Sequence, residues 1–135
     1  MGRQEDARAC YLESSVLIEK EPRCARVDWE RYSLYVNIGN TYSRSGDYDS
    51  ANEYYKKAEQ LGIDHLNDPE GAKTEGQSMV DGAKRNRAFA LKKAGREEEG
   101  KAILKEVIES QIRLKMEREK QKKEEEEAKA AVEVS

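Results

Sequence analysis

Apolar and small residues recur three and four positions apart along most of the chain, and the recurrence is broken at glycine or proline. That interval puts them on one face of a helix. From Gln4 to Lys20 the face holds Ala7, Tyr11, Ser14, Ser15 and Ile18, with Ala9, Leu12 and Val16 beside it. Pro22 closes the segment, because proline cannot extend a helix from within. Asp28 is expected to cap a second helix whose stripe is Trp29, Tyr32, Tyr35 or Val36, Gly39 and Tyr42, with Leu34, Ile38 and Thr41 alongside. Gly46 ends it, where a missing Cβ permits a left-handed backbone. Asp47 caps a third helix with Tyr48, Ala51, Tyr54 or Tyr55, Ala58 and Leu61 on its buried stripe, and Gly62 is expected to stop it.

Residues 63–76 then read as a connection, punctuated by Pro69, Gly71 and Gly76 and long for paired helices. Helical spacing resumes at 77 with Met79, Val80, Ala83, Ala88, Leu91 and Ala94, and Gly95 breaks it. A last helix starts near Arg96 and carries Gly100, Ile103, Leu104, Val107, Ile108 and Ile112. Valine and isoleucine rarely alternate with polar residues, so strands have no support and the fold class is all-α. Beyond Met116 the apolar stripe ends. Lys120 and Glu124, Lys122 and Glu126, Lys123 and Glu127, and Glu125 and Lys129 stand four apart there. Each such pair is worth roughly 0.2–0.5 kcal/mol, enough to support an exposed helix that buries nothing.

The three breaks superimpose. Five residues beyond Gly2, Gly46 and Gly95 stand Ala7, Ala51 and Gly100; four further on stand Tyr11, Tyr55 and Leu104; three further still stand Ser14, Ala58 and Val107. Upstream, Gly39 and Ala88 each lie seven before their glycine, and Tyr42 and Leu91 four before. Two antiparallel helices are expected to approach at the small residues while the large ones fill the space beside them. Such a recurrence marks a repeat architecture.

With Tyr35, Ile38-Gly39, Tyr42, Gly46, Tyr48, Ala51, Tyr55 and Ala58, the stretch from Tyr32 to His65 resembles the tetratricopeptide repeat (TPR). Ile63 stands where the family has its terminal proline, and a second copy from Asp81 has Lys84 and Arg87 at positions the family fills with large apolar residues. The break glycines are 44 and 49 residues apart, against roughly 34 in a regular array. The resemblance is therefore to a divergent member with long inter-repeat connections. It implies antiparallel helical hairpins in a short right-handed solenoid over residues 1–112: an incomplete hairpin at 2–21, a hairpin at 28–62, the connection 63–76 and a hairpin at 77–112. Residues 113–135 form a charged helical tail. The first hairpin lacks one helix, so the chain is expected to be truncated or to take the missing helix from another protein.

Composition narrows the function. Of 135 residues, 39% are charged and 36% hydrophobic, which leaves a thin core. The net charge of −3 exerts no long-range pull on nucleic acid or an anionic membrane, so no nucleic-acid partner is expected. No apolar run approaches the roughly 18 residues of a membrane span. Cys10 and Cys24 make neither a disulfide framework nor, with the single His65, a zinc site. They read as free thiols of a reducing intracellular compartment, cytoplasmic or inside an organelle. His65 reads as a surface residue with no acid placed to orient it, and no nucleophile–base arrangement appears, so neither an enzyme nor a cofactor is expected. Glu124–Glu127 read as a solvated helical face. The tyrosines invite stacking on single-stranded RNA, but Tyr42, Tyr48 and Tyr55 fall at interhelix positions and are better explained by core packing.

What remains is a protein-binding surface. In the TPR family the first helix of each hairpin lines a concave groove. The positions off the packing stripe are Ser33, Val36, Asn37, Asn40, Ser43 and Arg44 in one hairpin and Arg85, Asn86, Phe89, Lys92 and Lys93 in the next. Of these, Ser33, Asn37, Asn40, Arg44, Arg85, Asn86, Phe89, Lys92 and Lys93 are the candidate partner-binding residues. Asparagine amides bond a peptide backbone whatever its side chains, and Arg85, Lys92 and Lys93 favour an acidic segment. The expected function is a non-enzymatic scaffold or adaptor that docks a partner segment. The alternative is a structural subunit of a large assembly whose neighbours cover the first helix.

Overall fold

A computed structural model describes residues 2–69 and 73–134, apart from the side chains of Ala25 and Arg26. The described residues form five α-helices: α1 (Gly2–Glu19), α2 (Ala25–Arg44), α3 (Tyr48–Asn67), α4 (Lys73–Lys93) and α5 (Glu97–Val134). No strand occurs among the described residues. Contacts divide the chain into a unit of Met1–Leu104 and a second of Lys105–Ser135.

The two hairpin turns follow from glycine. Gly46 has φ +82° and Gly95 φ +84°, a region that side chains disfavour. At each, the next amide reaches back to close the last turn: Asp47 N–H to the Tyr42 carbonyl at 2.9 Å, and Arg96 N–H to that of Leu91 at 2.8 Å. Gly46 and Gly95 donate inside that bond, to the Ser43 and Lys92 carbonyls. Both ends are thus the same double-bonded glycine cap. Asp47 then opens α3, its carboxylate accepting from the Ser50 amide at 3.1 Å and the Ser50 hydroxyl at 2.8 Å.

Two expected boundaries move. Gly62 does not stop α3, which runs on to Asn67, and α4 begins at Lys73 rather than 77. Most of the stretch read as a connection is therefore helix. Gly62 and Gly76 serve a different purpose: a Cβ at Gly62 would lie 2.8 Å from the Gly76 carbonyl oxygen, and one at Gly76 would lie 3.0 Å from that of Gly62. The two glycines let α3 and α4 touch backbone to backbone. Asp28 is not a cap either; α2 starts at Ala25 after Cys24, and Asp28 sits buried in its first turn.

Among the described residues, three apolar clusters fill the first unit. Tyr35, Ala58, Leu61, Met79 and Ala83 join α2, α3 and α4, with Tyr32, Val36 and Tyr54 against them. Ala51, Tyr55 and Ala90 form the second, flanked by Tyr42 and Tyr48. Ala88, Leu91 and Ile103 join α4 to the start of α5. Met79 and Ile38 are wholly enclosed, and each is worth about 1.5–3 kcal/mol of burial. Gly39 is buried beneath the Tyr55 ring: a Cβ there would lie 2.5 Å from Cε1. At the corresponding joint, a Cβ on Gly100 would lie 2.8 Å from the Ala88 carbonyl oxygen.

Polar contacts supplement this small core. Arg87 pairs with Glu59 of α3 at 2.7 Å. Arg8 ties α1 to α2, bonding the Thr41 carbonyl at 3.1 Å and the Ser45 hydroxyl at 2.7 Å, with its guanidinium 3.9 Å over the Tyr42 ring. On α1, Ala7 and Tyr11 are half-buried and Ser14 is exposed, and Ser15 is its one buried residue among those described. In the second unit α5 continues as one helix from Lys105 to Val134. Of the four-apart pairs foreseen there, Lys120 and Glu124 come to 4.0 Å.

Candidate functional site

The first helices of the two hairpins, α2 and α4, meet where Tyr32 crosses from one to the other. Its hydroxyl lies over Gly82, leaving no room there for a side chain. Trp29 stacks on Tyr32 with ring centroids 5.4 Å apart and planes 24° from parallel. Trp29 itself is 46% exposed, so it stands on the surface rather than in the interhelix stripe expected of it. Burial pushes the Tyr32 phenol above its ordinary pKa, and the positive charge of Arg85 works against that shift. Arg85 thus makes itself felt at Tyr32 across the α2–α4 junction.

The residues named from sequence divide by what they touch. Ser33, Asn37 and Arg44 on α2, and Arg85, Lys92 and Lys93 on α4, are exposed. Phe89 is 58% exposed, and the Lys93 ammonium lies 5.4 Å over its ring. Asn40 and Asn86 are half-buried and already engaged. The Asn40 amide oxygen accepts from the Tyr55 hydroxyl at 2.7 Å, and the Asn86 amide donates to the Gly82 carbonyl at 3.1 Å. Asn40 therefore holds the ring that covers Gly39. Burial pushes the Tyr55 phenol up to about 12, so it remains a donor to Asn40 throughout the physiological range.

A polar cluster escaped the sequence reading. His65, taken there as surface, is buried near the end of α3, and Asp28 lies against it, Oδ2 3.2 Å from Nε2, though not aligned for a hydrogen bond. Arg23 grips Asp28 with two bonds, at 2.5 and 2.9 Å, and reaches Asp64 at 3.7 Å. The Asp28 hydrogen bond raises the Arg23 guanidinium still further above its ordinary pKa. Arg31, also buried, donates to the Ile18 carbonyl at 2.8 Å and the Glu21 carbonyl at 2.7 Å, satisfying the open end of α1. Gly76 makes space for His65: a Cβ there would lie 2.9 Å from the His65 Cβ. The cluster staples the ends of α1 and α3 to the start of α2. Among the described residues no group of three or more His, Cys, Asp and Glu could hold a metal ion. The signal in the sequence was the i, i+3 pair Asp28 and Arg31, but nothing local joins it to His65.

A second surface lies between α1 and α2, where Leu17, Ile18, Trp29 and Leu34 line a shallow concavity with Glu21 and Glu30 at its edge. Leu17 is 66% exposed and Val16, nearby on α1, 55%. Cys10 and Cys24 are free and exposed. No described helix is long and apolar enough to cross a membrane.

Comparison with known families matches residues 32–61, the body of α2 and α3, to a tetratricopeptide repeat. Neither the curated proteins nor the solved structures contain a match.

Proposed function

From the tetratricopeptide repeat carried by α2 and α3, we propose that the protein is a non-enzymatic interaction scaffold that holds an acidic segment of a partner protein along α2 and α4. The repeat supports protein–protein interaction in general. The observation that carries the finer reading is the exposed side of α4 beyond the Tyr32–Gly82 crossing, where Arg85, Phe89, Lys92 and Lys93 stand exposed. Arg85, Lys92 and Lys93 supply positive charge for carboxylates of the segment. Phe89 offers an apolar contact, and the Lys93 ammonium lies over its ring. Ser33, Asn37 and Asn40 supply polar side chains that can bond a peptide backbone. Asn86 and Asn40 also hold their surroundings in place through bonds to Gly82 and Tyr55.

The test is affinity purification of the full chain and of an R85E/K92E/K93E variant from the same extract, with bound proteins quantified. All three residues are exposed, so the variant keeps its helicity. Loss of specific partners from the variant supports the groove; equal recovery from both removes it. A second reading, a subunit embedded in a larger assembly, is favoured by the apolar concavity at Leu17, Trp29 and Leu34. It predicts that Leu17→Lys, rather than the α4 reversal, abolishes partner recovery.

A further inference from the structure

On α5, within the second unit, Ile108, Ile112 and Met116 are 55%, 54% and 64% exposed and stand four residues apart. They form one row of side chains on the helix surface. A shallow furrow runs beside it, lined by Glu109, Ile112, Arg113, Met116, Glu117 and Lys120. We propose that this row is the seam of an antiparallel pair made with a second copy of the chain.

The charges beside the row identify the occupant. One position further along the helix lie Lys105, Glu109, Arg113 and Glu117, alternating in sign. Lay a second α5 antiparallel against the first, with the two-fold axis at the level of Gln111. Glu109 then faces Arg113 of the second copy, and Lys105 faces its Glu117. The two-fold repeats both, so four opposite-charge pairs flank the seam and no like pair occurs in this row. In the same register Ile108, Ile112 and Met116 of the two copies interleave along the seam rather than colliding. Rows of side chains four apart pack with the axes crossed by about 50°. A parallel pair loses the match: Lys115 then lies between Arg113 and Glu117 of the second copy, and Glu117 also meets Glu119. The row is thus its own complement in one orientation, which marks a second copy as the partner it fits. This surface is separate from the α2–α4 groove, and the pairing stands whatever that groove binds.

Sedimentation equilibrium of the full chain over rising concentration tests it, and the expected result is reversible association to twice the chain mass. Glu109→Arg and Arg113→Glu, each alone, place like charges opposite one another twice per dimer and should weaken association roughly ten- to thirtyfold. Mixing the two variants in equal amounts should restore it, because every arginine then meets a glutamate. Ile112→Lys should abolish it in every combination. Circular dichroism monitors folding, which substitutions at these exposed positions leave intact. Wild type that stays monomeric at all concentrations overturns the pairing, as does association indifferent to either reversal or a mixture that fails to recover. A monomer that binds some other protein through Ile112 assigns the row to that protein and equally overturns it.

Discussion

In the hairpin of α2 and α3 the glycine of close approach is Gly39, on the first helix, and the Tyr55 ring lies against it. In the hairpin of α4 and α5 it is Gly100, on the second helix, and the Ala88 carbonyl lies against it. The spacing from the turn glycine is shared, and glycine has changed sides: Gly39 and Ala51 in one hairpin correspond to Ala88 and Gly100 in the other. The comparison teaches that the repeat specifies a pair of small residues at the crossing, not which helix carries the smaller. What the choice decides is the obstacle. At Gly39 it is an aromatic side chain held by a hydrogen bond to Asn40; at Gly100 it is main chain.

The largest expected effect comes from removing the obstacle where it can be removed. Tyr55→Ala deletes a ring only 2% exposed, and thermal or denaturant unfolding should show a loss of about 3–5 kcal/mol. Next is a double-mutant cycle. Gly39→Ala alone should destabilise by about 1–3 kcal/mol, since the methyl collides with the ring. Combined with Tyr55→Ala, the same substitution should become neutral or stabilising, because the collision is gone and alanine favours a helix by about 1 kcal/mol. Gly100→Ala should cost a comparable amount with no such rescue, since no side-chain truncation moves the Ala88 carbonyl. Rescue at Gly100, or none at Gly39, would erase the distinction between the two joints.

Smaller effects ask whether the turns are as alike as they look. Gly46→Ala and Gly95→Ala should each cost about 1–2 kcal/mol and match one another, because both glycines hold the same left-handed conformation. A clear inequality in unfolding midpoints would show that one turn is supported from elsewhere. The helix starts that follow do differ. Asp47 accepts hydrogen bonds from Ser50, whereas Arg96 in the other hairpin pairs with Glu99 at 2.6 Å. Asp47→Ala should therefore cost about 1 kcal/mol.

The smallest effect is pH-dependent. Hydrogen bonds from Ser50 hold the Asp47 carboxyl below its usual pKa. Its contribution is present above the ordinary carboxylate range and is lost as pH falls through the depressed folded value. Stability followed from neutral pH into acid should fall slightly more for wild type than for Asp47→Asn. An equal or steeper fall in the variant contradicts the cap.

The candidate groove was less legible in the sequence than the helices that carry it. Exposure of Ser33, Asn37, Arg44, Arg85, Lys92 and Lys93 follows from helical period alone, since residues off the buried stripe face outward. That Asn40 spends its oxygen on Tyr55 does not follow, because the partner lies on another helix. Nor does the position of Trp29, which sits at the right interval for the stripe yet stacks on Tyr32 at the surface.

What the amino-acid sequence determined by itself was local: the stripes, the left-handed turns at Gly46 and Gly95, and the cap at Asp47. Each depends on the conformational preferences of a few consecutive residues. Tertiary structure alone decided what Gly62 and Gly76 are for. In isolation Gly62 reads as a stop and Gly76 as part of a connection; packed, they admit another backbone, and helix continues through them. It also decided the fates of Asp28 and His65, which read locally as cap and surface. Their shared environment is built by α2 and α3 together with Arg23 and Arg31, and a burial that depends on residues distant in the chain leaves no periodic trace within it.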